Sequence, residues 1–405
     1  MAPIRAFRFQ AARRRMSASR LRRLIPALSI VLPTAVETSF LRACLGSGAP
    51  ARQAWASYRE RAGDLRTVLV KDRRGLKKLM PLLLRAVERN ELDADASLLT
   101  MLRTARLRAT LRSQTVRRIV EDVLRALTSD GIPYVVLDGV ALVEVAYADP
   151  ALRHCSTIDL LMRPGDRFRA IGSLSALTTP SGLTTAEAEP ITLHHGSRLP
   201  VELRSQIAPK RDHPIPLDSL FTASITATIA GIVTRVLSPP DRLLDICVRA
   251  FFRSGAAGLG WVPDAWHVLH RSTDLDWDVL LERSRVGNLA LPLLIPLRFL
   301  ATQLDAPVPA AVLDQLWQAA AQTEPIRVER ALGAAVAGTP EFPRRLLAID
   351  GGWGPRFAVA KWMVLPSPGY LRAHYQVKHA WQLPFYYLYR PLRFVVRRGA
   401  IDPGQ

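Results

Sequence analysis

Asp159, an acidic residue among apolar neighbours, has the clearest potential for chemistry in this chain. It lies in the segment Tyr147–Met162, with Ile158 before it and Leu160-Leu161 after it. A carboxylate is costly to bury unless something binds it. A divalent cation is the binder that we expect here, so the segment points to metal-assisted phosphoryl or nucleotidyl transfer.

Three other residues belong to the same predicted site. Thr157 and Asp159 share a face of the predicted strand because side chains two apart point the same way. Two carboxylates so placed can hold Mg²⁺ (or Mn²⁺) and a nucleotide triphosphate, whereas the neutral hydroxyl of Thr157 is a much poorer ligand. Glu202, expected on a neighbouring antiparallel strand, can serve as a third acid. Gly139 opens a turn whose backbone N–H groups can meet phosphate.

The elements that position these residues form a small mixed α/β unit. The apolar runs Tyr134–Leu137 and Ile158–Met162 predict buried strands, and Ile191–His195 and Leu199–Leu203 flank Gly196-Ser197 as in a hairpin. Helices are predicted over Ala141–Tyr147 and over Arg167–Leu177, the latter with Asp166 as its N-cap. Residues 178–190 are predicted to be a loop.

The sequence on both sides of this unit predicts helices. Apolar residues at three- and four-residue spacing predict a helix that ends at Gly131. Further helices are predicted over Asp241–Phe252, Pro263–His270, Trp277–Arg285 and Leu289–Leu304. The fold class is therefore predicted to be α+β, with a mixed-sheet unit between mainly helical regions. The predicted divisions are a basic, disordered extension (1–36), a helical region (37–110), the α/β core (111–210), a helical domain (211–345) and an aromatic, basic segment (346–405).

Composition limits the partners. The net charge is +20, but residues 1–36 carry eight Arg and no acid, and residues 351–405 carry eight basic residues and one acid. The remaining body is nearly neutral, which disfavours a broad nucleic-acid-binding face across the core. Three separated cysteines suit a reducing cytosol, and no apolar run reaches the roughly 20 residues that span a bilayer. A cytoplasmic protein is predicted.

In combination, the motifs resemble the uncharacterised bacterial nucleotidyltransferase family of the polymerase-beta-like superfamily, over roughly residues 30–395. The matching pieces in the α/β unit are Leu137-Asp138-Gly139, Tyr147-Ala148-Asp149-Pro150, Arg153, Ile158-Asp159-Leu160-Leu161 and Val201-Glu202-Leu203. The matching pieces downstream are Trp261, Asp264, Asp276-Trp277, Leu365-Pro366-Ser367 and Tyr370-Leu371-Arg372.

The resemblance implies Mg²⁺-dependent transfer of a nucleotidyl or related group from an NTP to an acceptor. Asp159 and Glu202 would be the catalytic residues, with Thr157 as a further metal-site position. Gly139, Arg153 and Asp138 would contact nucleotide or phosphate.

Three positions depart from the family pattern. Asp138 stands where the family usually has Lys, Thr157 stands at the first dyad position where it has Asp, and Arg204 stands where it has His. Loss of the dyad carboxylate removes a ligand that shields phosphate charge, which Asp138 can replace only if it lies near the same strand ends. These departures favour the alternative of a catalytically inactive relative that acts as a binding or scaffold module.

Each candidate residue also has a structural interpretation. Asp159 can be an acid paired with Arg153 or Arg204 and no metal. Arg153 can anchor its loop through a salt bridge, and Glu202 can be a solvated hairpin residue.

The C-terminal segment combines aromatic residues with arginine, as in Phe385-Tyr386-Tyr387-Leu388-Tyr389-Arg390. With the basic N-terminal tail, it can contact an anionic membrane surface or stack on nucleic acid. The alternative is a helix that packs on the body with its arginines at the edge.

Overall fold

The computed structural model describes most of the chain between Leu28 and Tyr389. The described residues are 28, 31–70, 72, 74–182, 189–208, 213–252, 258–272, 274–323, 327–330, 332–333, 353–377 and 379–389. Within these ranges, the side chains at 138, 354, 355, 358, 373 and 380 are not described.

The N-terminal region forms helices, as predicted. They are α1 (Ala35–Leu45), α2 (Gly48–Ala62), α3 (Leu65–Val70) and α4 (Met80–Asn90), with a 3₁₀ turn at Leu76–Leu79. Thr34 and Glu37 form a reciprocal capping box that fixes the start of α1. Leu28 and Val31 are already buried in the core, so the predicted disordered extension 1–36 is wrong at its end. Its first 27 residues lie outside the described residues.

Helix α5 (Ala96–Ser129) is 34 residues long and begins at an Asp95 N-cap. Its C-terminal half buries the apolar stripe that the spacing predicted, and Gly131 follows with φ +60°. The buried residues of this stripe are Val116, Ile119, Val120, Val123, Leu124 and Leu127.

A seven-stranded mixed sheet forms the centre of the protein, and the predicted α+β class is confirmed. The strands are β1 (Val135–Val136), β2 (Ile158–Leu161), β3 (Thr178–Pro180), β4 (Ile191–His195), β5 (Pro200–Arg204), β6 (Ile225–Ile229) and β7 (Ile232–Val236). Their order is β3-β4-β5-β2-β1-β7-β6. Strands β2 and β5 are parallel, as are β1 and β7, and the other neighbours are antiparallel.

The sheet corrects two sequence predictions. Thr178–Pro180, predicted to be loop, pairs with β4 as an edge strand. Residues 225–236, assigned to a helical domain, form the β6–β7 hairpin. Their run of Ile, Val and Thr has high strand propensity, and Ala230 and Gly231 both have positive φ at the turn.

Helices follow the strands of the core. Helix α6 (Asp138–Val145) begins earlier than predicted, and α7 (Arg167–Ser173) ends earlier because the chain leaves it to form β3. The later helices are α8 (Leu217–Ala223), α9 (Pro239–Phe252), α10 (Trp261–Arg271), α11 (Trp277–Val286), α12 (Ala290–Leu304), α13 (Ala310–Ala321), α14 (Trp353–Val364) and α15 (Pro368–Tyr375), followed by a 3₁₀ turn at Ala380–Gln382. The four helices predicted between residues 241 and 304 are confirmed.

Apolar side chains pack in two clusters. One joins the C-terminal half of α5 to the sheet, with Val123, Val136 and Leu160 among its buried members. The other joins the N-terminal helices to α9–α13 and includes Leu137 and Leu161. Alternation along the strands sends successive side chains into different clusters, so the short strands are buried on both faces.

No helix in the described part of the chain is long and apolar enough to cross a membrane.

Candidate functional site

Asp159 and Glu202 lie directly opposite each other on neighbouring strands. They are register partners in the β2–β5 pair, which is parallel and not antiparallel as predicted. Register partners point to the same face of a sheet. The structure therefore brings together the two carboxylates that the sequence singled out, and Asp159 is only 3% exposed.

Arg204 lies between these two carboxylates. Its Nε is 3.0 Å from Asp159 Oδ1, and its Nη2 is 2.9 Å from Glu202 Oε2. The Thr157 hydroxyl donates a hydrogen bond of 2.6 Å to the other oxygen of Asp159. Asp159 thus has the Arg204 partner of the structural alternative, and Glu202 is an ion-paired residue with only 12% of its side chain exposed.

The electrostatics of Arg204 favour its charged state. Burial alone lowers the pKa of the guanidinium, but the neighbouring carboxylates, Asp159 foremost, raise it, and the net shift is upward. Arg249 opposes this effect and is itself 2.9 Å from Asp245. The wall of the site is therefore an alternating set of buried cations and anions.

A cleft of about 570 Å³ opens beside this wall. Asp159, Glu202, Thr157 and Arg153 line it, together with the turn before α4, the end of the 152–157 loop and the start of α10. The basic side chains of its lining are Arg74, Lys77, Lys78, Arg153 and Arg249.

Positive charge is concentrated near Lys78. Burial lowers the pKa of its amine, and the guanidinium groups of Arg153 and Arg112 lower it further. His154 also lines the cleft, and burial together with Arg112, Lys78 and Arg153 lowers its pKa to about 4. His154 is therefore neutral at pH 7. The positive charges of Lys78, Arg112 and Arg153 remain, so this side of the cleft favours an anion.

Arg153 holds its loop against α10. Its Nε and Nη2 lie 3.1 and 2.8 Å from the two carboxylate oxygens of Asp264, and the Tyr147 hydroxyl donates to the same Asp264 at 2.7 Å. A bidentate salt bridge of this kind, with two parallel hydrogen bonds, fixes the orientation of both side chains. Arg153 thus forms the salt bridge of the structural alternative, and phosphate binding by it stays a prediction.

Gly139 lies under the Arg153 guanidinium. A Cβ at this position would overlap Arg153 Nη1, so a glycine is required for the close approach of the two groups. Gly139 belongs to the first turn of α6. The side chain of Asp138 lies outside the described residues, and its predicted contact with phosphate stays a prediction.

A second, smaller cavity of about 350 Å³ lies on the far side of the same loop. Arg153 and His154 line both cavities. The walls of the second cavity come mainly from α5, α6 and the β6–β7 turn, with the apolar side chains Val116, Val120, Val140, Val143 and Ile229.

Sequence reasoning missed the lysines of the cleft. The chain has six lysines, and three of them are at positions 71, 77 and 78. That clustering is a signal of a local functional role in a chain whose other basic residues are almost all arginine. Lys71 lies outside the described residues.

The residues of the site do not fit the magnesium ion that the resemblance implies. No group of three or more His, Cys, Asp and Glu side chains converges as a metal site within the described ranges. Asp159 and Glu202 already share a cation, because Arg204 contacts both. Thr157 adds only a neutral oxygen, which is directed at Asp159.

Comparison with known proteins defines the class. Residues 76–305, more than half of the chain, match the family described as uncharacterised nucleotidyltransferase. The chain belongs to this family.

One solved structure is similar to part of the chain. It is the crystal structure of an antigenic nucleotidyltransferase-like protein from Paracoccidioides brasiliensis, with 17% identity, a TM-score of 0.31, and coverage of 48% of this chain and 95% of that one. No curated protein matches the chain significantly.

Proposed function

We propose that this family member binds a phosphate-bearing ligand of the nucleotide class in the 570 Å³ cleft and does so without a divalent metal ion. The observation that carries the proposal is the position of Arg204, whose guanidinium contacts both Asp159 and Glu202. A cation fixed by the chain compensates the two carboxylates that would otherwise attract Mg²⁺. Of the two alternatives that the sequence leaves open, an active transferase and an inactive binding module, the chain is then the binding module.

The lysines supply the attraction for the ligand. The side chains of Lys77 and Lys78 retain solvent-exposed surface at the cleft, so an anion can reach them. An anion near Lys78 also relieves the repulsion that this amine experiences from Arg153 and Arg112. Phosphate oxygens accept charge-assisted hydrogen bonds from such groups.

Calorimetric titration in EDTA tests the proposal, with ATP, GTP, CTP, UTP and tripolyphosphate as ligands. We expect the natural chain to bind at least one of them, and Lys77→Gln/Lys78→Gln to weaken that binding about tenfold or more through the loss of two charge-assisted contacts. The charge-matched control is Lys361→Gln/Arg372→Gln, since both residues are exposed outside the cleft. Absence of binding in EDTA, or an equal loss in the control, contradicts the proposal.

The second candidate is Mg²⁺-dependent nucleotidyl transfer from an NTP to an acceptor. The register of Asp159 with Glu202 at the cleft favours it, as does membership of the family. The site residues would then have the roles that the resemblance implies, with Asp159 and Glu202 as catalytic acids.

The double variant Thr157→Asp/Arg204→His separates the two candidates. We expect Mg²⁺ not to raise the NTP affinity of the natural chain, because chelation of the triphosphate only reduces the negative charge that the lysines attract. We expect Mg²⁺ to raise the NTP affinity of the variant, because the variant gains a carboxylate and loses the competing guanidinium. Magnesium-dependent release of pyrophosphate by the natural chain would decide for the second candidate and against the first.

We also propose that the protein acts in the cytoplasm. The support is chemical: Cys44, Cys155 and Cys247 are buried free thiols, as is usual in a reducing compartment.

A further inference from the structure

The C-terminal helices expose a large apolar surface. On α14, Trp353, Phe357 and Val364 are all at least half exposed, and they recur at helical spacing on one side. In residues 381–389, Trp381, Phe385 and Leu388 repeat the arrangement. The four aromatic side chains and Leu388 are between 65% and 78% exposed. We name these six residues and Leu365 the aromatic face.

The aromatic face is not the side by which these helices pack on the protein. Helix α14 buries Val359 and Trp362 instead, and Trp362 forms an edge contact with Tyr370 at 5.4 Å. The turn between α14 and α15 is held by Glu329, whose Oε2 accepts a hydrogen bond of 2.7 Å from the Ser367 hydroxyl. The segment is thus attached through one set of side chains and presents a different set outward.

The two exposed stripes lie close together. The Tyr387 hydroxyl donates to the carbonyl of Pro366 at 2.8 Å, which brings the second helix to the turn where Val364 and Leu365 are exposed. Exposed apolar side chains grouped in this way mark an interaction site.

Charge identifies the partner. Residues 351–401 contain eight Lys and Arg and no Asp or Glu. Among them, Lys361 on α14 and Arg372 on α15 are exposed in the same pair of helices. A second copy of the chain would bring the same positive charge and be repelled. A nucleic acid would match the charge, but Val364, Leu365 and Leu388 offer no ring for base stacking.

We propose that the aromatic face binds the surface of an anionic phospholipid membrane. Tryptophan favours the headgroup level of a bilayer. Phenylalanine and aliphatic side chains enter the acyl boundary, and Lys361 and Arg372 interact with anionic headgroups. The helices lie on the membrane and do not span it. This proposal is independent of the ligand in the cleft.

Vesicle flotation of the full chain tests it, with phosphatidylcholine alone and with phosphatidylcholine mixed with phosphatidylglycerol. We expect binding to the anionic vesicles, weaker at high salt, and a loss of about tenfold or more in Trp381→Ser/Phe385→Ser because two large apolar groups no longer enter the interface. Lys361→Gln/Arg372→Gln should also weaken binding, whereas the charge-matched Lys77→Gln/Lys78→Gln should not.

A matched apolar control is available on α5. Leu107 and Leu111 are 61% and 57% exposed and four residues apart, so Leu107→Ser/Leu111→Ser removes two exposed apolar side chains elsewhere. Circular dichroism checks that each variant is folded, and the single exposed change Leu388→Glu repeats the test without loss of an aromatic ring.

Three outcomes overturn the proposal. The first is absence of binding to anionic vesicles, and the second is an equal loss in the α5 control. The third is a different occupant: a dimer in light scattering, or tight binding of a single-stranded oligonucleotide, that Trp381→Ser/Phe385→Ser abolishes while vesicle binding persists.

Discussion

Two arginines determine the chemistry of the cleft at the scale of single residues. Arg204 could be located from the sequence, because it is two residues from Glu202 on a strand and must share its face. Arg153 could not, because its partner Asp264 is 111 residues away and no local pattern connects them. The sequence therefore predicted the pair of acids, but not which cation compensates each acid in the folded protein.

Gly139→Ala tests the packing of Arg153 on α6. The added methyl overlaps Arg153 Nη1, so the guanidinium must shift and its hydrogen bonds to Asp264 through Nε and Nη2 are strained, at a cost of about 1 kcal/mol. We expect urea denaturation to show a loss of that order in the free energy of unfolding.

The reference substitution is Gly172→Ala on α7, where a Cβ meets nothing within 4 Å. It should be neutral or stabilising in the same urea measurement, since alanine favours helix more than glycine. In an Arg153→Ala background, Gly139→Ala should lose most of its effect. A full effect in that background would show that the guanidinium is not the obstacle.

At the scale of elements, local patterns predicted the β4–β5 hairpin and most helices. They did not predict that β5 would lie parallel to β2. Because α7, β3 and β4 lie between these two strands in the sequence, tertiary packing decides which strand β5 pairs with and in which direction. The β6–β7 hairpin is different, because its Ile-, Val- and Thr-rich run around Ala230-Gly231 carried a strand signal within the sequence.

The buried His267 on helix α10 should make the stability of the protein depend on pH. His267, whose ring centroid is 4.4 Å from that of Tyr147, is 6% exposed. Burial, aided by Arg85 and Arg271, lowers its pKa to about 4. Between pH 6.5 and 4 the unfolded chain takes up a proton that the folded chain does not, so stability falls as pH falls, by up to about 3 kcal/mol for this group.

Chemical denaturation at several pH values checks this expectation. The free energy of unfolding should decrease from pH 7 to pH 4.5, and His267→Gln should flatten that decrease. His379→Gln, at an exposed position, is the control. An identical pH profile for His267→Gln and the natural chain would contradict the assignment to His267.

At the scale of the whole molecule, one apolar cluster connects regions that the sequence divides. It contains Phe40 and Leu83 of the N-terminal helices, Leu161 of the sheet and Leu297 of α12. The sequence pattern predicted helices on both sides of the sheet, but could not show that they share one core. Apolar spacing shows that a helix buries one face, and does not show which other element it packs against. We expect these regions to unfold together.

Phe40→Ala tests this coupling. Phe40 is fully buried, with its ring 5.3 Å from that of Tyr58, and its truncation should cost about 3–5 kcal/mol. If the core is shared, native-state hydrogen exchange will show reduced protection in β2 as well as in α1. Val70→Ala, at an exposed site, should change neither, and loss confined to α1 and α2 would show separate unfolding.

The loop of Arg153 and His154 separates two cavities and lines both. An occupant of one cavity that displaced Arg153 would therefore change the wall of the other cavity as well. Thermodynamic reciprocity then requires each occupant to change the affinity for the other by the same factor. The salt bridge between Arg153 and Asp264 would oppose such a displacement, and a stronger salt bridge would mean weaker coupling between the two cavities.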